Sequence, residues 1–302
     1  MLETDKTQQD NIPARKLLDR VVQLAKLHDV DQSQVSSLIK AAALHDMVVR
    51  VEIQMADLFC GTGFATCALA SELVALSVPV TVHFVDMCSE MLQVAQTSLT
   101  EQLPQSHRDR FRIITHEQEL DSGKLPFADK QLDLVVVKMG LHELALKSQV
   151  SVIQEIYRVL RSGGRFAIWG NLISKDQVTG QDLNGFNAII RKKDLLAGFY
   201  VMSARRYFTS QEEMVSALTN AGFTAQLVVD WVRRWDSLSR LDSELGGDIG
   251  ELNELNAEIE GHFSDETRQK EFEFCQTVNP EGITGRCFNV RSGIIIARKP
   301  LD

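Results

Sequence analysis

Apolar positions along the first fifty residues recur at helical spacing. Leu17, Leu18, Val21 and Leu24 share one side of a helix over 14–27. A second helix begins near Asp31, which with Gln34 resembles a capping box, and its Val35, Leu38, Ile39 and Ala42 fall at i, i+3, i+4 and i+7. From residue 51 the period changes. VEIQMADLF is a strand that ends in the turn CGTG, ATCALASELVAL a helix, VTVHFVD a strand with an acidic stop, and CSEMLQVAQTSL a helix. FRIIT and LDLVVVKM are strands, VSVIQEIYRVL a helix closed at Gly163-Gly164, and RFAIWG another strand. Regularity lapses from 171 until Tyr207, so 171–206 is expected to be an irregular segment. Thr209 to Glu212 then resembles a capping box for a helix that stops at Gly222. AQLVVDWV and GIIIARK are the closing strands.

Alternating strand and helix is the signature of a parallel sheet with helices on both faces, and runs such as LVVV suit strands buried on both sides. About 60 residues separate the last two strands, far more than a hairpin uses. Within them Leu238, Leu241, Leu245, Ile249, Leu252, Leu255 and Ile259 recur at steps of three and four, broken by glycines 246, 247 and 250, which predicts two amphipathic helices. Their outer face is acidic and reads as solvated. The expected organisation is a helical cap over 1–50, a core over 51–232 and 291–302, and a helical insertion over 233–290.

At 302 residues the chain is long enough for a sizeable core, and its 44% hydrophobic and 24% charged residues are ordinary for a globular protein. A net charge of −9 disfavours a dedicated nucleic-acid binder and a DNA partner. Five cysteines, odd in number, widely spaced and without a CxxC, argue against a disulfide framework and a zinc ribbon, so no metal site is expected. The N-terminus has no apolar leader, and the most apolar stretch, Cys67 to Val85, is interrupted by Glu72 and Pro79. A cytoplasmic protein with no membrane partner is expected.

The strongest chemical signal is Asp57-Leu-Phe-Cys-Gly61-Thr-Gly63, between a strand and a helix. Glycines 61 and 63 permit a tight turn and close backbone approach, and the following helix N-terminus suits an anion. A bare strand-to-helix turn is the bland alternative. Against it, Asp86 ends the next strand, where a carboxylate can accept from ribose hydroxyls. Thr66 occupies the position of the third glycine of a pyrophosphate-binding turn, so a nucleoside that carries a carboxylate fits better than a dinucleotide.

With these residues in order, the chain resembles the class I S-adenosylmethionine-dependent methyltransferases. Asp57, Gly61 and Gly63 match the first motif, with Phe59 in place of its first glycine. Asp86-Met-Cys-Ser-Glu-Met91-Leu92 is similar to the second, with Cys88 at a serine position. Leu125-Pro126-Phe127 running into Asp133-Leu-Val-Val, then Leu141-His142-Glu143-Leu144, then Tyr157 to Gly164, complete the likeness over 51–170. The resemblance implies an α/β fold, a seven-stranded doubly wound sheet with its last strand antiparallel, and S-adenosyl-L-methionine as cofactor. It implies that Gly61 and Gly63 approach the methionyl part, Asp57 holds the amino group, Asp86 takes the ribose hydroxyls and Met87 flanks the adenine. Asp121 is the acidic residue expected near the adenine amine, with His116 and Glu117 nearer the strand end. Lys138 and Met139 should line the site.

The expected reaction is methylation of a small-molecule acceptor, with O- or N-methylation favoured over C-methylation. The cap, 171–206 and 233–290 would enclose the acceptor. His142, just after the fourth strand, is the candidate base. Each residue has a plainer role open to it: Asp86 as a helix cap, His142, Cys60 and Cys88 as packing, Arg205-Arg206 and Arg233-Arg234 as solvated or paired cations. A protein or RNA methyltransferase and a cofactor-binding subunit without turnover are the alternatives, and a homodimer is possible.

Overall fold

The computed structural model describes residues 37, 38, 42, 51–171 and 180–301, with the backbone alone at 180–182. The helix expected over 14–27 and the Asp31 cap lie outside them. Leu38 and Ala42 are helical and fully buried.

From Ile53 the expected alternation is realised. β1 (Ile53–Leu58) leads through α1 (Phe64–Ala68) and α2 (Ala70–Ala75) to β2 (Val80–Asp86), and α3 (Ser89–Gln102) leads to β3 (Phe111–Glu117). β4 (Leu132–Lys138), α4 (Leu146–Val159) and β5 (Leu160–Asn171) follow. Next come α5 (Gly180–Leu196), α6 (Tyr200–Arg205), α7 (Gln211–Asn220) and β6 (Thr224–Asp236). The chain closes with α8 (Leu238–Leu241), α9 (Ile249–His262), α10 (Glu266–Glu271), β7 (Cys275–Val278) and β8 (Thr284–Arg298).

The sheet runs β3-β2-β1-β4-β5-β8-β6, with β7 attached to β8. β1 to β5 pair in parallel and β8 pairs antiparallel with β5, as the resemblance implied. The departure is β7, a short eighth strand inside the segment expected to be helical. β2 and β4 are buried on both faces. On one face Phe84, Leu134 and Val136 pack with Leu69, Leu73 and Ala95. On the other Val135 and Val137 pack with Val152, Ile156 and Leu218. Both crossover helices therefore bury a stripe against the same strands, which fixes where the carboxyl ends of β1, β2 and β4 emerge.

Three expectations are corrected. Residues 180–196 and 200–205 are helical rather than irregular: Leu183, Phe186 and Ile190, spaced by three and four, are buried along α5 and outweigh the cost of Gly185. The cap of α7 sits one residue later than expected. Ser210 Oγ accepts from Glu213 N at 3.0 Å, and Ser210 N donates to Glu213 Oε2 at 3.0 Å. Cys275 and Cys287 face each other across β7 and β8 and form a disulfide. Register, not sequence spacing, brings that pair together.

Residues 184–206 and 234–290 cluster as a compact unit apart from the main sheet unit. Its interior combines an aromatic group, Phe263 with Phe272, Phe274 and Phe288, and a buried ion network. Lys193 pairs with both Asp194 (2.8 Å) and Glu244, Arg240 pairs with Glu244 at 3.0 Å, and Arg206 reaches Asp194 at 3.3 Å. Burial alone would raise the Glu244 carboxyl, but Lys193 and Arg240 more than reverse this and hold it at about 2. Its ionisation therefore adds stability above its ordinary range near 4.5, and that stability is lost as pH falls toward 2. Lys193→Met leaves two buried carboxylates short of a cation. It should destabilise this unit by about 3 kcal/mol, read by thermal unfolding, and adding Glu244→Leu should recover part of the loss.

Candidate active site

β1 ends in a buried carboxylate. Asp57 is 1% exposed, and its Oδ2 accepts from Thr66 Oγ1 at 2.8 Å and Thr66 N at 3.3 Å. Burial, with the nearby Asp86 charge adding to it, lifts its carboxyl to about 7 against those hydrogen bonds and the pull of Lys138. The chain then turns through three left-handed residues, Phe59 (φ 54°), Gly61 (φ 50°) and Gly63 (φ 77°). Phe59 stands where the first glycine of the motif was expected, and it keeps the glycine-like conformation. A β-carbon on Gly140 would lie 2.4 Å from that of Phe59, so the glycine after β4 makes room for the side chain that replaces the glycine after β1. A bulky residue at positive φ stores on the order of 1–3 kcal/mol of strain, and such residues gather at functional sites.

The two motif glycines serve different ends. A β-carbon at Gly63 would strike Ala95 on α3 at 2.9 Å, so this glycine permits close helix packing. A β-carbon at Gly61 would meet nothing within 4 Å, so the turn is open on that side. Asp86 borders the same turn. Its Oδ2 accepts from Gly61 N at 2.9 Å and its Oδ1 from Cys88 N at 3.0 Å, one residue before α3. The helix after β2 has Cys88 as its N-cap with no side-chain cap bond, so Asp86 tethers the residue that opens the helix rather than capping it, and each of its oxygens keeps a second lone pair. Burial raises this carboxyl as well. Gln118 N donates to the Asp86 carbonyl at 2.9 Å, which brings the exit of β3 alongside. Met87 is 58% exposed next to Asp86, and Asp121 lies half-buried in the turn that follows β3. His116 is engaged elsewhere: its Nε2 lies 3.0 Å from His83 Nδ1, and burial holds His83 at about 4.

Lys138 ends β4. Its Nζ lies 5.1 Å from the centre of the Phe64 ring and 5.3 Å from that of Trp169. Burial and the neighbouring Arg233 lower its ammonium to about 8, with Asp57 opposing them. The structure thus groups Asp57, Gly61, Asp86 and Lys138 at the carboxyl ends of β1, β2 and β4. His142 is set apart from them. Its ring stacks on Phe208 at 4.1 Å, its carbonyl accepts from Tyr207 N, and it lines a small cavity with Val137, Gln149 and Asn171. Arg206 belongs to the ion network, and Arg234 faces Cys275 and Cys287, so neither pair of arginines stands wholly free. The rings that flank Lys138 escaped sequence reasoning. Trp169 comes alongside Lys138 through the register of β4 and β5, which no local sequence pattern encodes.

A buried and a half-buried carboxylate beside an open glycine turn suit a ligand with an ammonium group and vicinal hydroxyls, which S-adenosylmethionine carries. The "Methyltransferase domain" family matches residues 56–168, the span that holds these groups. Residues 56–168 carry a methyltransferase domain. A demethylmenaquinone methyltransferase from Lactiplantibacillus plantarum is 40% identical over 109 residues, 36% of this chain and 41% of that protein. The ubiquinone/menaquinone biosynthesis C-methyltransferase UbiE of Hahella chejuensis is 27% identical over 203 residues, 65% of this chain and 77% of that protein. The YcgJ protein from Bacillus subtilis shares the fold, with a TM-score of 0.66 at 19% identity over 90% of this chain and all of that one. The chain spans about two-fifths of the length of the first curated relatives it matches. Among the described residues no helix is long and apolar enough to cross a membrane.

The raised Asp57 carboxyl gives the site a pH signature. An ammonium ligand needs Asp57 ionised, and below pH about 7 the free protein holds a proton there that binding must expel. Calorimetry with S-adenosylhomocysteine should show affinity constant above neutrality and weakening below it, by up to about tenfold per pH unit. Asp57→Asn should bind more weakly and lose that limb.

Proposed function

We propose that this chain transfers a methyl group from S-adenosylmethionine to a ring carbon of a small hydroxylated aromatic acceptor, of the reduced-quinone type. The observation that carries the reading is the Asp57–Gly61–Asp86 cradle with a cluster of rings behind it: half-buried Phe64 meets buried Trp169 edge-on at 6.0 Å, and Trp169 meets Trp231 edge-on at 5.8 Å. A planar acceptor suits such walls. The names of the relatives, a demethylmenaquinone methyltransferase and a quinone-biosynthesis C-methyltransferase, favour carbon as the acceptor atom. Nothing in the site favours the oxygen or nitrogen expected from sequence.

When bound, the cofactor supplies an electrophilic methyl group on a sulfonium. The chain's own residues hold and align. Asp57 would pair with the amino group, Asp86 would accept from the ribose diol while keeping Gly61 and Cys88 in place, and the open side of Gly61 would let the ligand lie against backbone. Phe64 and Trp169 would exclude water from the reacting face, so alignment supplies most of the rate.

The test is transfer of labelled methyl to a panel containing a reduced naphthoquinone, a phenol, an aliphatic amine, a protein extract and total RNA. Label on a ring carbon of the reduced naphthoquinone, located by mass spectrometry, is the expected outcome. Label on an oxygen or nitrogen, or on macromolecules, would overturn the acceptor assignment. Cofactor binding without transfer to any of them would indicate a binding subunit.

A further inference from the structure

Lys138 is a half-buried cation whose ammonium lies over two rings. Among the described residues it makes no hydrogen bond and no ion pair, although it ends the central strand β4. A lysine stem reaches water readily, so a head group kept between Phe64 and Trp169 forgoes hydration that a surface lysine retains. Ring faces return only part of that loss. The contrast within this chain is sharp. Lys193 is also buried, and it meets two carboxylates. Lys138 has Asp57 as its one acidic influence, and Asp57 is held by Thr66. Arg233, from β6, adds positive charge on the same side.

We propose that the Lys138 ammonium is the seat for an anionic oxygen of the acceptor, an ionised hydroxyl on a conjugated ring, with Phe64 and Trp169 as its walls. This rests on the acceptor class proposed above. As the hydroxyl docks, its proton leaves to solvent, and the negative charge settles against Lys138. Conjugation spreads that charge onto the ring carbons; one of them takes the methyl group as its bond to the sulfonium sulfur breaks, and the proton displaced from that carbon leaves to solvent as the ring regains aromaticity. His142 is then not needed as a base. Lys138 must be charged to act, so the seat weakens as pH rises past about 8. The charged groups that face it are Asp57 from β1 and Arg233 from β6.

The probe is para-nitrophenol, whose ionised form is read by its absorbance, titrated with S-adenosylhomocysteine saturating so that the cofactor position is filled. The native protein should lower the pH at which the bound phenol ionises by about one unit or more. Lys138→Met should abolish that shift while holding S-adenosylhomocysteine within about twofold of the native affinity. Lys138→Arg should keep the shift, and it decides the matter if the methionine variant does not fold. A native protein that produces no shift, or a Lys138→Met protein that retains it, would overturn the proposal. So would a Lys138→Met protein that loses S-adenosylhomocysteine affinity tenfold, because Lys138 would then serve the cofactor. The labelled-methyl assay fails separately. A nitrophenol shift without methylation of the reduced naphthoquinone keeps the oxyanion seat and removes the quinol reading. Methylation that is undiminished in Lys138→Met keeps the quinol reading and removes the seat.

Discussion

The site depends on one carboxylate. Asp86 ends β2, accepts from the Gly61 amide with one oxygen and from the Cys88 amide with the other, and so ties the glycine turn after β1 to the start of α3. Neither amide could find a strand partner where it lies, and a buried unpaired N–H costs about 1–3 kcal/mol. The carboxylate satisfies both, and the neighbouring backbone bond from Gln118 to the Asp86 carbonyl draws in the exit of β3. Three loops at the carboxyl edge of a parallel sheet are thereby held in one arrangement before any ligand arrives, which is where open α/β folds bind ligands. The two amide bonds fix the Asp86 carboxylate in one orientation, which suits the ribose-binding role proposed for it.

A second constraint passes between the ends of β1 and β4. Phe59 occupies a left-handed position that a glycine usually fills, and its side chain takes the space that a side chain at Gly140 would need. The dependence runs one way: with Phe59 in place, any side chain at position 140 would clash with it. Met139, also left-handed (φ 54°), precedes Gly140, so strand β4 leaves the sheet through a strained turn directly after Lys138. That turn ends the strand with Lys138 on the face it shares with Trp169 and Phe64.

Most of the sheet was legible because β4 carries the apolar run LVVV, because strand and helix patterns alternate, and because Asp86 marks the end of β2. The helices α5 and α6 were not, because Gly180, Gly185 and Gly198 dilute the period, although Leu183, Phe186 and Ile190 carry it. Gly185 is there for packing: a β-carbon would collide with the His262 ring on α9. Sequence reading takes a glycine inside a helix as a breaker, whereas close approach to another side chain supplies the compensating contact. At the site, Asp57, Gly61 and Asp86 could be found because strand-to-helix turns are local. The surroundings of Lys138 depend on register between strands and on a ring from α1, which no local pattern encodes. The disulfide partners Cys275 and Cys287 were hidden for the same reason.

The chain buries cations in two distinct ways, and the difference separates structure from function. In the unit formed by 184–206 and 234–290, Lys193, Arg240 and Arg206 meet Glu244 and Asp194, so each desolvated charge has an opposite charge beside it. Such a network is closed, and a further anion entering it would displace a partner already in place. At the end of β4, Lys138 is desolvated between rings, and Asp57, the acid near it, is buried enough to hold a proton near neutrality. A sheet end assembled for stability alone would place a leucine there, since the neighbouring positions on that face are Val136 and Trp169. Retaining an ammonium group at that point costs stability, and the cost is recovered when an anionic group arrives to meet it.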